Sequence, residues 1–183
     1  MLDKYLSACF GSDEVFRASK SIPPGSPFVP HLLRAVRESA LLLAVIGQEW
    51  LTVADARGRR RLDDPEDLVR REIAVAFEHG ITVVPVLMDA DRLTDAVLPP
   101  DIAALVGCQD FRVHFRDSDE SLRALAEKLE EMVPGLKRKV APESMRGPSL
   151  QADSVGAIFN GNVDIAGGFT VNNSPTRGSG GGR

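Results

Sequence analysis

From Val15 to about Leu136 the apolar positions follow two patterns in turn: short unbroken runs, and stretches with a period near 3.6 residues. Residues 40–47 (ALLLAVIG) and 81–88 (ITVVPVLM) are unbroken runs of strand length, as strands covered on both faces require. Pro85 interrupts the second run and predicts an end, a bulge or an edge there, since proline offers no N–H to a ladder. Residues 15–18 and 111–115 are shorter, alternate apolar positions, and predict two further strands. Three stretches read as helices. Phe28–Glu38 puts Leu32, Leu33 and Val36 on one face, residues 65–79 form the second, and residues 121–133 are built on Leu122, Leu125, Leu129 and Met132. Strands separated by helices predict an α/β domain whose parallel sheet is flanked by helices and joined by right-handed crossovers.

The stretch 65–79 (PEDLVRREIAVAFEH) carries the most informative side chain. Asp64 suits its N-cap, Pro65 its first position, Glu66 and Asp67 its positive first turn, and Gly80 its end. At about 100° per residue, Leu68, Val69, Ile73, Ala76 and Phe77 share one arc. Glu72 falls inside that arc. A carboxylate among core-facing positions costs free energy unless it is paired or lines a cleft. Either Glu72 pairs with a neighbour such as Arg34 or Arg71, or it faces a cleft and is available for chemistry.

Composition narrows the picture. With 183 residues, a net charge of −4 and 43% hydrophobic residues, the chain suits one domain with a tail. The domain takes residues 1–136. A basic, proline-bearing linker follows at 137–153, then a β-prone segment at 154–173 and a Gly/Ser/Pro/Arg tail at 174–183 that is expected to be disordered. The acidic balance gives no reason to expect nucleic acid or an anionic membrane as partner. Cys9 and Cys108 lack close spacing, which argues for a reducing compartment and against a disulfide framework. The longest apolar run is far shorter than the roughly 20 residues a membrane span needs, and no signal peptide precedes it. The expected location is the cytoplasm.

Other constellations carry less. Trp50 follows an apolar strand at the end where parallel sheets place ligands, so it either borders a cleft or packs in the core. Arg17 and Lys20 flank a proline-dense loop and either meet a phosphate or stay solvated. Arg59, Arg60 and Arg61 before Asp63 and Asp64 read as a solvated mixed-charge surface. His31, His79 and His114 have no ligand-like spacing, so no metal site is expected. No glycine-rich phosphate loop occurs. Neither cysteine has the setting of a nucleophile.

The segments FRASKSIPPGSPF, LLLAVIGQEWL, RRRLDDPEDLVRREIAVAFEHG, ITVVPVLMD and LPPDIAAL, in this order and spacing, resemble a bacterial TIR (Toll/interleukin-1 receptor) domain over roughly two-thirds of the chain. The resemblance implies a flavodoxin-like parallel sheet flanked by helices. It implies that Ser19, Lys20, Ser21, Ile22, Pro23, Pro24 and Gly25 belong to a loop that mediates TIR–TIR contacts and borders the active cleft. It places Glu72 where NAD+-cleaving members carry their catalytic glutamate, with Trp50, Leu68 and Lys20 as candidate substrate contacts. NAD+ would be the substrate; no cofactor or metal is implied, and the partners would be other TIR domains.

Two features depart from the family. Leu68 stands four residues before Glu72, where NAD+-cleaving relatives often have an aromatic residue. The first strand, central in a 2-1-3-4-5 sheet, is missing, because residues 1–10 resemble only the end of the helix that follows it. Its loss would leave two neighbouring strands with unpaired edges. A gene start placed too far downstream is the favoured explanation. The expected function is therefore that of a TIR signalling or defence protein that hydrolyses NAD+ at the nicotinamide–ribose bond when it self-associates. The alternatives are a non-catalytic TIR interaction module or an inactive fragment. Between Val155 and Asn173, the apolar Ile158, Phe159, Val163, Ile165, Phe169 and Val171 alternate with Asn and Gly. This segment is similar to short amyloid-type signalling motifs that gather effectors on contact with a seeded partner. The other reading is a weakly structured tail or a small hairpin.

Overall fold

The two unbroken apolar runs become neighbouring strands of a parallel sheet in the computed structural model, which describes residues 2–16, 22–94 and 97–139 and the backbone of 163–167. In chain order the elements are α1 (Leu2–Phe10), β1 (Val15–Phe16), α2 (Phe28–Glu38), β2 (Leu41–Gly47), α3 (Leu68–Glu78), β3 (Thr82–Met88), β4 (Phe111–Val113), α4 (Ser118–Met132) and β5 (Val163–Gly167). The sheet runs β1-β5-β2-β3-β4, and every pairing in it is parallel.

β2 and β3 are buried on both faces. Leu41 and Leu43 of β2, with Val84 and Val86 of β3, pack against Leu6 and Phe10 of α1 and Leu122, Leu125 and Leu129 of α4. Leu42, Ala44 and Ile46 turn the other way, with Val83 and Leu87, onto Val36 of α2 and Val69, Ile73 and Ala76 of α3. A smaller cluster at the β1 side joins Phe16, Leu32 and Ala35. Full coverage is why β2 and β3 read as continuous apolar runs. The result is a three-layer α/β arrangement consistent with a flavodoxin-like fold.

Pro85 neither ends nor bulges its strand. It is buried in β3 opposite Ala44 of β2, while on the other flank β4 pairs only with Val86 to Met88. The ladder toward β4 thus begins one residue after the proline, where its missing N–H is no defect. Two helices start away from their expected positions. α4 begins at Ser118, with Asp119 and Glu120 in its positive first turn. α3 begins at Leu68, three residues after Pro65.

The central place that was expected to stand empty is filled. β5 lies between β1 and β2, with Val163 and Asp164 opposite Val15 and Phe16, and Asp164 to Gly167 opposite Leu42 to Val45. The edges of β1 and β2 that would otherwise be bare are paired through it. The tail is therefore not irregular at these five residues. In strand order the chain is a permuted 2-1-3-4-5 sheet, its central strand supplied from the C-terminal side. The remaining calls on residues 140–162 and 168–183 lie outside the described residues.

Candidate active site

α3 positions the candidate glutamate, and its cap is Asp67 where the sequence pointed to Asp64. The Arg70 N–H donates to Asp67 Oδ1 at 3.1 Å. Asp64 instead accepts from the Glu66 N–H at 2.9 Å, closing the turn before the helix. Three acids compete for one cap within four residues. The short 3-10 turn at Arg61–Asp63 holds Asp64 too early in the chain to serve. Arg70 anchors the helix start further, donating to Asp101 at 2.9 Å and to the Leu62 carbonyl at 3.1 Å.

From that start Glu72 falls on the buried face with Val69, Ile73 and Ala76, and is 5% exposed. Neither arginine considered as its partner takes that role. Arg34 pairs with Glu38 at 2.7 Å, and Arg71 with Glu66 at 2.9 Å. Burial first, and the charge of Asp67 second, push the Glu72 carboxyl well above the usual carboxylate range. The cap residue is thus a second acid acting on the candidate one. Asp67 itself lies 3.0 Å from Arg61.

The surroundings separate the other candidates. Leu68, one helical turn before Glu72, is half-buried against Phe16, Leu32 and Ala35, and Ile22 from the middle of the proline loop packs on the same cluster. The proline loop and the start of α3 therefore share one apolar cluster, one helical turn from Glu72. Pro23, Pro24 and Gly25 are exposed, and Gly25 has a φ of 83°, the left-handed conformation glycine tolerates. Ser19, Lys20 and Ser21 lie outside the described residues, as does Arg17. Trp50 is not with this group: it is 7% exposed and packs in the core with Leu62 and Ile46.

Two of the depressions among the described residues bear on the candidates. One, of about 300 Å³, lies at the start of α3 and is bounded by Asp55, Arg59, Arg60, Arg61 and the chain from Asp63 to Leu68. Each of its three arginines meets an acid, Arg59 with Asp55 at 2.8 Å, Arg60 with Asp63 at 2.6 Å and Arg61 with Asp67, and the further acids Asp64 and Glu66 leave the lining net negative. The loop read as a solvated surface is this pocket's wall. The other, of about 230 Å³, lies beside Pro85 and is lined by Leu93, Leu105, Cys108 and Asp110 among others. Glu72 lines neither.

Sequence reasoning passed over Asp89. It follows β3 with a φ of 47°, accepts the Phe115 N–H at 3.3 Å, and lies 3.3 Å from His114 Nδ1. The available signal was an aspartate, tolerant of the left-handed region, directly after an apolar run. Among the described residues no three His, Cys, Asp or Glu side chains group as a metal site requires. No described helix is long and apolar enough to cross a membrane. The fold and site thus define an α/β protein with a buried carboxyl on a sheet-covering helix. No protein-family profile matches the chain, and no curated protein matches it either.

Proposed function

We propose that the chain is a TIR-type NAD+ hydrolase in which Glu72 stabilises the ribose cation formed when nicotinamide leaves, and which acts when TIR domains associate. The observation that carries this reading is a glutamate held on a buried helix face with both expected arginine partners engaged elsewhere. Nicotinamide bears its positive charge in the substrate and departs neutral, so a general acid is not needed, unlike in ordinary glycoside hydrolysis. What the reaction needs is a carboxylate beside the oxocarbenium-like ribose, in a site where little water screens it. Burial and Asp67, which raise the affinity of Glu72 for its proton, work against the ionised form in the free protein. A cationic substrate placed beside it favours the ionised form and draws the proton off.

Purified full-length chain at high protein concentration, given NAD+, should release nicotinamide, and Glu72→Gln should abolish release while the circular dichroism spectrum stays unchanged. Equal release from both proteins, or none from the folded wild type, overturns the assignment. A second reading draws on a different observation: Glu72 lines neither depression, whereas Pro23, Pro24 and Gly25 are exposed in a defined turn. This favours a non-catalytic module that makes homotypic contacts through the loop, and in that case NAD+ is not consumed by either protein.

A further inference from the structure

Of all the strands, β5 is the one least suited by composition to the place it occupies. Central parallel strands are covered on both faces and read as continuous Val, Ile and Leu, as β2 (LLLAVIG) and β3 (TVVPVLM) largely do. β5 is VDIAG, with an aspartate, an alanine and a glycine among five residues. Its pairing with β2 covers Leu42 to Val45 of a seven-residue strand, and its pairing with β1 covers two residues. The backbone ladder therefore carries much of its attachment, and a ladder is the same whichever chain supplies the strand.

The connection leaves ample reach. At its near end the Lys139 N–H donates to the Cys9 carbonyl at 2.7 Å, which fixes the chain beside the end of α1. Cys9 is six residues before Val15, and Val15 is the register partner of Val163. The gap from Lys139 to the start of β5 is thus at most about 30 Å. Residues 140–162 number 23 and extend to at most about 80 Å. That surplus is comparable with the diameter of a domain of this size.

We propose that β5 is exchanged between copies of this chain, each slot between β1 and β2 accepting Val163–Gly167 from a second copy. The slot's occupant is written in the chain's own sequence, so a second copy offers the same ladder in the same register, and exchange requires no new contact surface. Internal insertion is intramolecular while exchange is bimolecular, so exchange gains on insertion as the local concentration of chains rises. The assembly that results links bodies through their sheets and is independent of turnover at Glu72.

The register pair Ala44 and Ala166 provides the test. Cα atoms of paired residues on neighbouring strands lie within disulfide range. Full-length Ala44→Cys and Ala166→Cys chains, each also carrying Cys108→Ser, would be mixed and oxidised over a range of concentrations up to about millimolar. Exchange gives a covalent dimer of one chain of each kind, whose share falls on dilution, while the double variant Ala44→Cys/Ala166→Cys closes within itself when dilute. Internal closure of the double variant with no cross-chain dimer at the highest concentration overturns the proposal, as does the absence of either bridge. Sedimentation of the unmodified chain needs no substitution: a single monomeric species over the same concentrations also overturns it.

Discussion

Replacing Glu72 by glutamine should stabilise the protein increasingly as pH rises, because the folded state holds a proton there that the unfolded chain gives up. The glutamate is 5% exposed, and burial and Asp67 raise its pKa in the fold. In the unfolded chain it titrates near 4.3. Above that value, and up to the raised folded value, the unfolded state binds fewer protons than the folded one. Stability therefore falls as pH rises, by about 1.4 kcal/mol per pH unit once the unfolded side is ionised. Below both values the contribution is fully present. Glutamine keeps the shape and does not titrate, so the difference in stability, variant minus wild type, climbs with that slope while other groups cancel. For a domain of this size it amounts to roughly 3–5 °C of Tm per pH unit. Thermal melts of both proteins at pH 4.5, 5.5, 6.5 and 7.5 measure it. A constant offset belongs to the amide's own packing and does not bear on the reasoning. A difference that stays flat, or that turns against glutamine as pH rises, refutes it. The second outcome would mean that Glu72 is an ionised, paired carboxylate in the fold.

Two further perturbations separate the parts of this account. Asp67→Ala removes the α3 cap and the partner of Arg61, and should lower stability by about 1 kcal/mol or somewhat more in denaturant titration. It also takes away the charge that helps raise the Glu72 pKa, so the pH-dependent gain from a subsequent Glu72→Gln should level off at lower pH. Asp164→Val places a strand-favouring residue at the register position between Phe16 and Leu42, and should raise the chemical-denaturation midpoint by an amount equivalent to about 1 kcal/mol or less. An unchanged midpoint would show that β5 contributes little to global stability.

The parts of the fold readable from sequence are those whose cause is local. β2 and β3 announce themselves because coverage on both faces demands apolar residues at every position, and α2 because Leu32, Leu33 and Val36 repeat at helical spacing. The buried place of Glu72 follows from the same spacing, since an arc is relative and survives an error in where the helix begins. That error arose where several acids suit one role: Asp64, Glu66 and Asp67 all favour a helix start, and the choice among them depends on the preceding 3-10 turn. The partner question was harder still. Arg71 adjoins Glu72 in sequence and Arg34 sits on another helix, yet each finds an acid four or five residues away, and a local partner costs less order than one across the fold.

β5 lies beyond local reading for a different reason. Its five residues have neither the apolar continuity of a central strand nor a clean alternation, so no window centred on them would assign it to the middle of a sheet. What places it there is a demand made elsewhere, by the backbone groups of Val15–Phe16 and Leu42 to Val45 that have no other partner on that side. An empty central place in the sheet was expected from the sequence, and a β-prone segment was visible at residues 154–173. Joining the two requires only that strand order in a sheet need not follow chain order. A sheet with an open interior slot constrains the rest of the chain as firmly as a hydrophobic run constrains itself. The same reasoning explains why the slot's occupant can be a poor strand: two ladders, one on each side, hold it where one would not.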